Sequence, residues 1–263
     1  MKRPRTIVRL DVKGATVVKG VAMDGLRVVG NAHEMATRYY EQGAPELLIV
    51  DVVASLYARE PGLAALIACT QDVFVPVTYC GGVRCIEQAR DVLRSGADVV
   101  GVNTAALARP ELLDELCAEF GGSTIALQLD AKRCGDKWRA YADGGRTDSG
   151  YDAIEWAREA VARGVGQVLG TSVDRDGTCG GPDLALADAL RAWLPVPLVF
   201  GGGIASAQHV ARTMRYVDGV TVGAALHYDK ISIDTLKGQA WNQTPDTTSA
   251  PGYSSERVGQ TST

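Results

Sequence analysis

The sequence predicts a single (β/α)8 barrel, in which eight parallel strands form a closed sheet surrounded by helices. Three observations indicate this fold. Short apolar runs rich in β-branched residues alternate with segments of helical period, eight such units follow one another, and motifs of the first four units recur in the last four. The length of 263 residues suits one such barrel, and we expect it to cover residues 1–243.

The strands are predicted where apolar runs of four to seven residues lie between polar or glycine-containing segments. Because these runs are nearly continuous in hydrophobicity, they are typical of parallel strands covered by helices. Eight such units are the number that closes a barrel, and an open doubly wound sheet is the alternative. The predicted strands cover residues 6–12, 46–52, 75–80, 97–102, 123–129, 167–171, 197–201 and 219–223. The predicted helices cover residues 31–43, 63–70, 85–96, 110–120, 151–164, 185–193, 207–214 and 233–239.

A repeat of about half the chain length distinguishes the barrel from the open sheet, because a barrel built from two similar halves repeats after four units. Three motifs recur at nearly constant spacing. LDVK at 10–13 returns as LDAK 119 residues later, GGV at 81–83 as GGI 121 residues later, and AAL at 105–107 unchanged 119 residues later.

Composition favours a small-molecule enzyme in the cytoplasm. The net charge is -4, with 27 basic and 31 acidic residues intermixed. The sequence therefore lacks the positive charge that predicts binding to nucleic acid or to a membrane surface. No apolar run has the length of a membrane span, and no secretory leader is recognised at the amino terminus. The six cysteines form no C-x-x-C pair and are expected to be free thiols. Residues 244–263 are polar, without periodicity, and are predicted to form a flexible tail.

Two aspartates are the strongest catalytic candidates. Asp11 and Asp130 each close an apolar strand, at the position that reaches the C-terminal mouth where barrel enzymes have their active sites. Their strands are the first and the fifth, which face each other across the barrel. The pair therefore predicts a general base and a general acid on opposite sides of a substrate. The alternative is that each aspartate caps a loop or pairs with its neighbour, Lys13 or Lys132.

Two glycine segments predict two phosphate sites. They follow the third and seventh strands, where glycine lets backbone amides approach an anion closely. Because the repeat duplicates the element, the sites are expected on opposite sides of the mouth, and the alternative is a pair of tight turns without ligand. The first site comprises Gly82, Asn103 and Thr104, and the second comprises Gly177, Gly202, Gly203 and Ala224.

Two further residues are candidates for substrate contact. Asp176 lies in an unusually polar loop after the sixth strand and is expected to orient the substrate or the proton network of Asp130. Lys19 lies in a long glycine-bearing loop after the first strand and is a candidate lid residue. The three histidines have no ligand spacing, so no metal is expected. The glycine runs match neither the dinucleotide nor the ATP motif, and no cofactor is expected.

Together, the segments LDVKGATVVKG, VDVVAS, GVNTAAL, LDAKR, TSVDRDGT and GGGI resemble the cyclase subunit of imidazole glycerol phosphate synthase in histidine biosynthesis. The resemblance runs from about residue 5 to residue 237. It implies a lyase-cyclase that takes a ribulosyl aminoimidazole carboxamide nucleotide with two phosphates, adds ammonia, closes an imidazole ring and releases an aminoimidazole carboxamide ribotide. The family's catalytic aspartates fall on Asp11 and Asp130, its lid lysine on Lys19, and its supporting acidic residues on Asp51 and Asp176.

Several positions depart from the family pattern. Arg9 stands where cysteine is usual, Val53 where threonine is usual, and Cys80 where a third glycine is usual. An arginine in contact with Asp11 would lower the pKa of that carboxyl. Together with Val99 and Gln167, Arg9 and Cys80 favour a diverged paralogue that acts on another phosphorylated nucleotide or sugar. A non-catalytic barrel that binds a phosphorylated metabolite is a third reading, and the retained aspartates and glycine loops argue against it.

The resemblance also implies a ring of four charged residues that guards an ammonia channel at the opposite end of the barrel. Arg5 and Glu46 match that ring, whereas Val99 replaces the usual lysine and Gln167 the usual glutamate. The loss of one charge of each sign predicts a wider, less regulated opening and weak or absent coupling to a glutaminase partner.

Overall fold

A computed structural model describes residues 5–241, with the side chains of residues 5–238. The predicted tail at 244–263 lies outside the described residues. In the described part of the chain, no helix is long and apolar enough to cross a membrane.

Twelve strands form one sheet within the described residues, and eight of them make the barrel. The barrel strands are β1 (Arg5–Lys13), β4 (Leu47–Asp51), β5 (Val77–Cys80), β6 (Val99–Val102), β7 (Ile125–Cys134), β10 (Gln167–Ser172), β11 (Leu198–Gly201) and β12 (Gly219–Val222). The remaining strands, β2 (Thr16–Val21), β3 (Asp24–Asn31), β8 (Lys137–Ala142) and β9 (Thr147–Asp152), form two hairpins.

The barrel closes through parallel pairing all the way round. Strand β1 pairs with both β4 and β12, and β7 pairs with both β6 and β10. No parallel strand of the eight is therefore left as an edge, which confirms the predicted barrel and excludes the open sheet. In the cyclic order β1 and β7 are four strands apart, so they face each other across the axis.

The helices pack around the outside of the sheet. They are α1 (Ala32–Glu41), α2 (Leu63–Thr70), α3 (Ile86–Arg94), α4 (Thr104–Ala108), α5 (Glu111–Phe120), α6 (Ala153–Ala162), α7 (Leu184–Arg191), α8 (Ala207–Thr213), α9 (Ala224–His227) and α10 (Ile233–Trp241). Asn31 and Asp152 begin the corresponding helices α1 and α6, because each side chain accepts a backbone N–H of the first turn. The same capping device thus follows the hairpin in each half.

Alternation along the strands divides the apolar side chains between two cores. On β1, Val8 and Leu10 belong to the large cluster between strands and helices, whereas Ile7 belongs to a small cluster inside the barrel. This lumen cluster is completed by Leu48, Val50, Cys80, Ala126, Leu169 and Val199. Because side chains alternate along a strand, Arg5, Arg9 and Asp11 share the inner face of β1 with Ile7.

Neither hairpin was predicted from the sequence, and the segment after the first strand was predicted to be a loop. The β2–β3 hairpin turns at Ala22 and Met23, both with positive φ, of 50° and 61°. Such turns usually carry glycine or asparagine, so the sequence gives no turn signal here. The hairpin tip is held over the mouth by a hydrogen bond from the Ala22 amide to the Asp176 carbonyl, 2.8 Å long. Lys19 consequently lies on a strand rather than in a loop.

Candidate active site

The predicted catalytic and binding residues meet at the C-terminal mouth of the barrel. A cavity of about 260 Å3 there is lined by four buried acidic side chains, Asp11, Asp51, Asp130 and Asp176, and by the first predicted phosphate loop with Gly82, Asn103 and Thr104. A smaller neighbouring cavity is lined by the second predicted loop, with Gly177, Gly202, Gly203 and Ala224. Both sets of residues predicted from the repeat therefore open on the same mouth.

Asp11 is an ionised carboxylate enclosed by two cations. Its Oδ1 accepts the Nε–H of Arg9 at 2.7 Å, and its Oδ2 accepts from the Lys19 ammonium at 2.6 Å. Burial opposes ionisation, but the charges of Arg9 and then Lys19 outweigh it and hold the pKa of Asp11 well below its usual range. The expectation that Arg9 acts on Asp11 in this way is confirmed.

Lys19 joins Asp11 to Asp176. Its side chain is 3% exposed, and its ammonium also lies 2.8 Å from Asp176 Oδ2. The hairpin that carries Lys19 is thereby fixed to the loop after β10. Asp176 thus belongs to the Asp11 side of the site through Lys19. The sequence analysis had offered the proton network of Asp130 as one role for Asp176, and the two carboxyls are not hydrogen-bonded to each other.

Asp130 has a different environment. Its Oδ2 accepts from the side-chain amides of Asn103 at 3.0 Å and Gln128 at 3.3 Å, and its buried Oδ1 has no hydrogen-bond partner among the described residues. Burial raises the pKa of Asp130 to about 6, although the charge of Arg9 opposes the shift. The two aspartates therefore differ strongly in proton affinity, as an acid and base pair requires. Neither pairs with Lys13 or Lys132, so the alternative that each aspartate pairs with its neighbouring lysine is wrong.

The raised pKa of Asp130 predicts a stability effect with a definite sign. The folded protein holds this proton up to about pH 6, whereas an unfolded aspartate loses it near 3.8, so stability falls as the pH rises between these values. Above pH 6 the penalty amounts to roughly 2 to 3 kcal/mol. We expect Asp130→Asn to raise the midpoint of urea unfolding at pH 8 and to change it little at pH 4. A variant less stable than wild type at pH 8 would contradict this.

Glycine is required at both predicted phosphate loops. Gly82 and Gly203 have φ of 77° and 81°, and a Cβ atom would lie 2.8 Å from Pro61 N in the first loop and 2.3 Å from Gly181 O in the second. The Thr104 hydroxyl accepts the Asp143 amide at 2.9 Å, which ties the first loop to the β8–β9 hairpin. The Cys80 side chain lies in the lumen cluster, so it leaves the first loop open.

Asp51 lies at the end of β4 and is fixed by its own loop. Its Oδ1 accepts the backbone amides of Val53 and Ala54, 3.1 and 3.0 Å away. Burial raises the pKa of Asp51 against the effect of these two hydrogen bonds. Because Val53 makes this contact through its backbone amide, the hydrogen bond does not need the threonine side chain that is usual at that position.

At the opposite end, three of the four predicted gate residues are joined. The Arg5 guanidinium donates to Glu46 Oε2 at 3.0 Å and to Gln167 Oε1 at 3.0 Å. Gln167 thus keeps a contact with Arg5, although it has no charge. Val99 packs against the lumen cluster instead.

Sequence reasoning did not identify Gln128 and Thr171 as site residues. Gln128 precedes Asp130 by two positions, as Arg9 precedes Asp11, and a comparison of the two halves would have identified it. Thr171 accepts the Arg9 Nη1–H at 2.9 Å, a contact that no sequence spacing indicates. Among the described residues, no three His, Cys, Asp or Glu side chains are grouped to hold a metal ion.

A closed barrel of two related halves, with an aspartate and a glycine loop at corresponding strand ends of each half, defines the class of two-fold repeated (β/α)8-barrel enzymes. A family model described as "Histidine biosynthesis protein" matches residues 5–232.

Three curated proteins named "Imidazole glycerol phosphate synthase subunit HisF" are similar over nearly the whole chain. The protein of Myxococcus xanthus is 43% identical, covering 89% of this chain and 93% of its own length. That of Beutenbergia cavernae is 42% identical over 89% and 94%, and that of Streptococcus sanguinis 38% over 90% and 95%. The chain therefore belongs to the HisF family of imidazole glycerol phosphate synthase subunits, which confirms the resemblance predicted from its motifs.

Proposed function

We propose that the protein is an ammonia-dependent lyase-cyclase of histidine biosynthesis. Its substrate is a ribulosyl aminoimidazole carboxamide nucleotide with two phosphates, and its products are imidazole glycerol phosphate and aminoimidazole carboxamide ribotide. The observation that carries the proposal is that two aspartates, whose pKa values are shifted in opposite directions, lie with two glycine loops at one mouth. Membership of the HisF family supports the same reaction.

In this proposal the two aspartates divide the proton transfers. Ammonia adds to the ribulosyl carbonyl, water is lost, and the ring closes as the bond to the ribotide breaks. Asp130, which keeps its proton to about pH 6, donates to the leaving oxygen. Asp11, ionised throughout the neutral range, accepts a proton from the added nitrogen. Lys19 and Asp176 hold the hairpin over the reacting groups, and Asp51 shapes the wall of the cavity.

The glycine loops bind the two phosphates in this account. We expect crystals grown in inorganic phosphate to contain two anions, one against Gly82, Asn103 and Thr104 and one against Gly177 and Gly203. Backbone amides presented by glycine loops are suited to such anions. The matched variant Gly203→Ala should lose the second anion alone, because its Cβ would lie 2.3 Å from Gly181 O. An anion at one loop only in the wild-type protein would count against a substrate with two phosphates.

Nitrogen supply is the part of the proposed function in which the chain departs most from the family pattern. Relatives are named as subunits of a synthase, and a glutaminase is the partner that the proposed reaction would use as an ammonia source. Because the ring has lost one charge of each sign at Val99 and Gln167, we expect free ammonium to support turnover and glutamine with an added glutaminase subunit to support little. Glutamine-dependent turnover equal to the ammonium rate, with tight complex formation, would contradict this expectation. The Gln167→Glu/Val99→Lys variant is the matched control, since it restores the ring.

A second candidate substrate is favoured by Arg9, whose cation replaces the usual cysteine at the floor of the site. That candidate is a related phosphorylated nucleotide or sugar. The test supplies ammonium with the biphosphorylated ribulosyl nucleotide and follows the loss of substrate absorbance. Turnover supports the proposed function. Binding without turnover would favour the second candidate or a non-catalytic barrel.

The absence of a cysteine pair, with all six thiols free, supports a cytoplasmic location.

A further inference from the structure

The two halves of the barrel carry different residues behind their aspartates. Arg9 and Gln128 occupy corresponding positions, each two residues before the aspartate on the inner face of its strand. Both side chains line the main cavity. One half therefore presents a guanidinium to its aspartate and the other presents a neutral amide.

Arg9 is held across the floor of the site at both ends of its guanidinium. Its Nε donates to Asp11 Oδ1 at 2.7 Å, and its Nη1 donates to the hydroxyl of Thr171 at 2.9 Å. Thr171 lies on β10, directly beside Asp130 in the strand register. The side chain of Arg9 is 6% exposed and lines both cavities. It thus extends from the Asp11 side of the lumen to the strand that neighbours Asp130.

The consequence for the two carboxylates is unequal. Asp11 has one oxygen on Arg9 and the other on Lys19, so both of its oxygens are occupied by cationic donors. Within residues 5–238, Asp130 has only amide donors, from Asn103 and Gln128, and its second oxygen is buried without a partner. The asymmetry arises from one substitution between otherwise corresponding positions, together with the hairpin lysine.

We propose that Arg9 is a positioning residue that fixes the Asp11 carboxylate from the floor of the barrel and so gives the two related aspartates opposite proton roles. The inference rests on the proposed function for its catalytic meaning, but its structural part concerns Arg9 and the two carboxyls alone. A guanidinium suits this place because its planar fork reaches Asp11 and Thr171 together, which an ammonium cannot do.

Other charged and titratable groups surround the guanidinium and Asp11. They come from the hairpin, the loop after β10, the facing strands and the short helix α9, and they are Lys19, Asp176, Asp130, Cys80 and His227. Burial lowers the pKa of His227 to about 4 and raises that of Cys80 to about 12, so both are neutral near pH 7. In the part of the chain that the structure describes, only Lys19 remains as a cation beside Asp11 when Arg9 is removed.

The first test needs no substrate. The side-chain carboxyl carbons of 13C-labelled aspartate are followed by NMR as a function of pH in wild type and in Arg9→Gln. Glutamine is chosen because Gln128 occupies the corresponding position of the other half. Loss of a neighbouring cation raises a carboxyl pKa, typically by about 1 to 3 pH units. We expect the midpoint of Asp11 to rise more than that of Asp130 in the variant, because Asp11 alone of the two is ion-paired with the guanidinium, and both to return toward wild type in Arg9→Lys. An equal rise of the two midpoints would contradict the proposal. Unchanged midpoints in a folded Arg9→Gln protein would overturn the proposal, whatever the substrate proves to be.

The second test is kinetic. If Asp11 is the base, the acid limb of the pH profile of kcat moves to higher pH in Arg9→Gln, and a limb displaced by one pH unit lowers the rate on that limb about tenfold. Arg9→Lys should restore the limb but not the full kcat, since the lysine supplies charge without the bridge to Thr171. An equal loss at every pH would show a merely structural role and overturn the proposal. If Arg9→Gln does not fold, Thr171→Val removes the anchor instead, and the same limb is expected to move in the same direction.

Discussion

Replacement of either Asp11 or Asp130 by asparagine is expected to reduce kcat by about a hundredfold or more, because each supplies a proton transfer that an amide cannot make. Binding of the two phosphates should change little, since the substitutions leave the backbone amides of the glycine loops in place. The asparagine is nearly isosteric and keeps an acceptor oxygen for the Arg9 or Asn103 donor. The measurement is steady-state turnover with ammonium, together with phosphate binding by calorimetry.

The matched control is Asp174→Asn, in the exposed part of the loop after β10, where the side chain accepts the Arg133 amide at 2.7 Å. We expect this variant to keep turnover within a few-fold of wild type. The Asp130 variant should combine lost activity with raised stability at pH 8, as the raised pKa of the carboxyl predicts. Near-normal turnover in either catalytic variant would show that the two-aspartate mechanism is wrong.

The second large effect is expected from Lys19→Met. The ammonium is buried against Asp11 Oδ2 and both oxygens of Asp176, at 2.6 to 3.0 Å. Its removal leaves an unpaired buried carboxylate at Asp176, and breaking such a pair on one side typically costs about 3 to 5 kcal/mol. We expect a lower urea midpoint with an unchanged m value, and a lower kcat because the hairpin loses its anchor.

The companion variant Lys19→Met/Asp176→Asn separates the lost pair from lost packing. It should recover much of the stability, because the uncompensated charge at Asp176 is gone. It should not recover kcat, since the hairpin remains unanchored. A single variant as stable as wild type would contradict the structure of this ion-pair cluster.

The fold was predictable because its signals are local and repeated. Apolar runs ending at Asp11 and Asp130, with glycine segments after the third and seventh strands, are enough to place the aspartates opposite each other. The hairpins were not predictable in the same way. The β2–β3 turn uses Ala22 and Met23 at positive φ, where glycine or asparagine is the usual signal, and the position of Lys19 depends on that turn.

The electrostatic difference between the two halves was only partly predictable. Strand alternation puts Arg9 on the same face as Asp11, so their contact follows from the sequence. The contact of Arg9 with Thr171 joins β1 and β10, which are three positions apart in the barrel, and the buried, unpartnered oxygen of Asp130 depends on the packing around it. These features determine whether the pKa of each aspartate is raised or lowered, and they depend on the folded structure.

An experiment with 15N-labelled ammonium tests the central claim most directly, because it shows which product receives the added nitrogen. The wild-type protein is incubated with the biphosphorylated ribulosyl nucleotide and 15N-labelled ammonium, and the products are identified by mass spectrometry. The account predicts a single 15N atom in imidazole glycerol phosphate, an unlabelled aminoimidazole carboxamide ribotide, and neither product with Asp11→Asn or Asp130→Asn. Unchanged substrate, or label in the ribotide rather than in the imidazole ring, would contradict it.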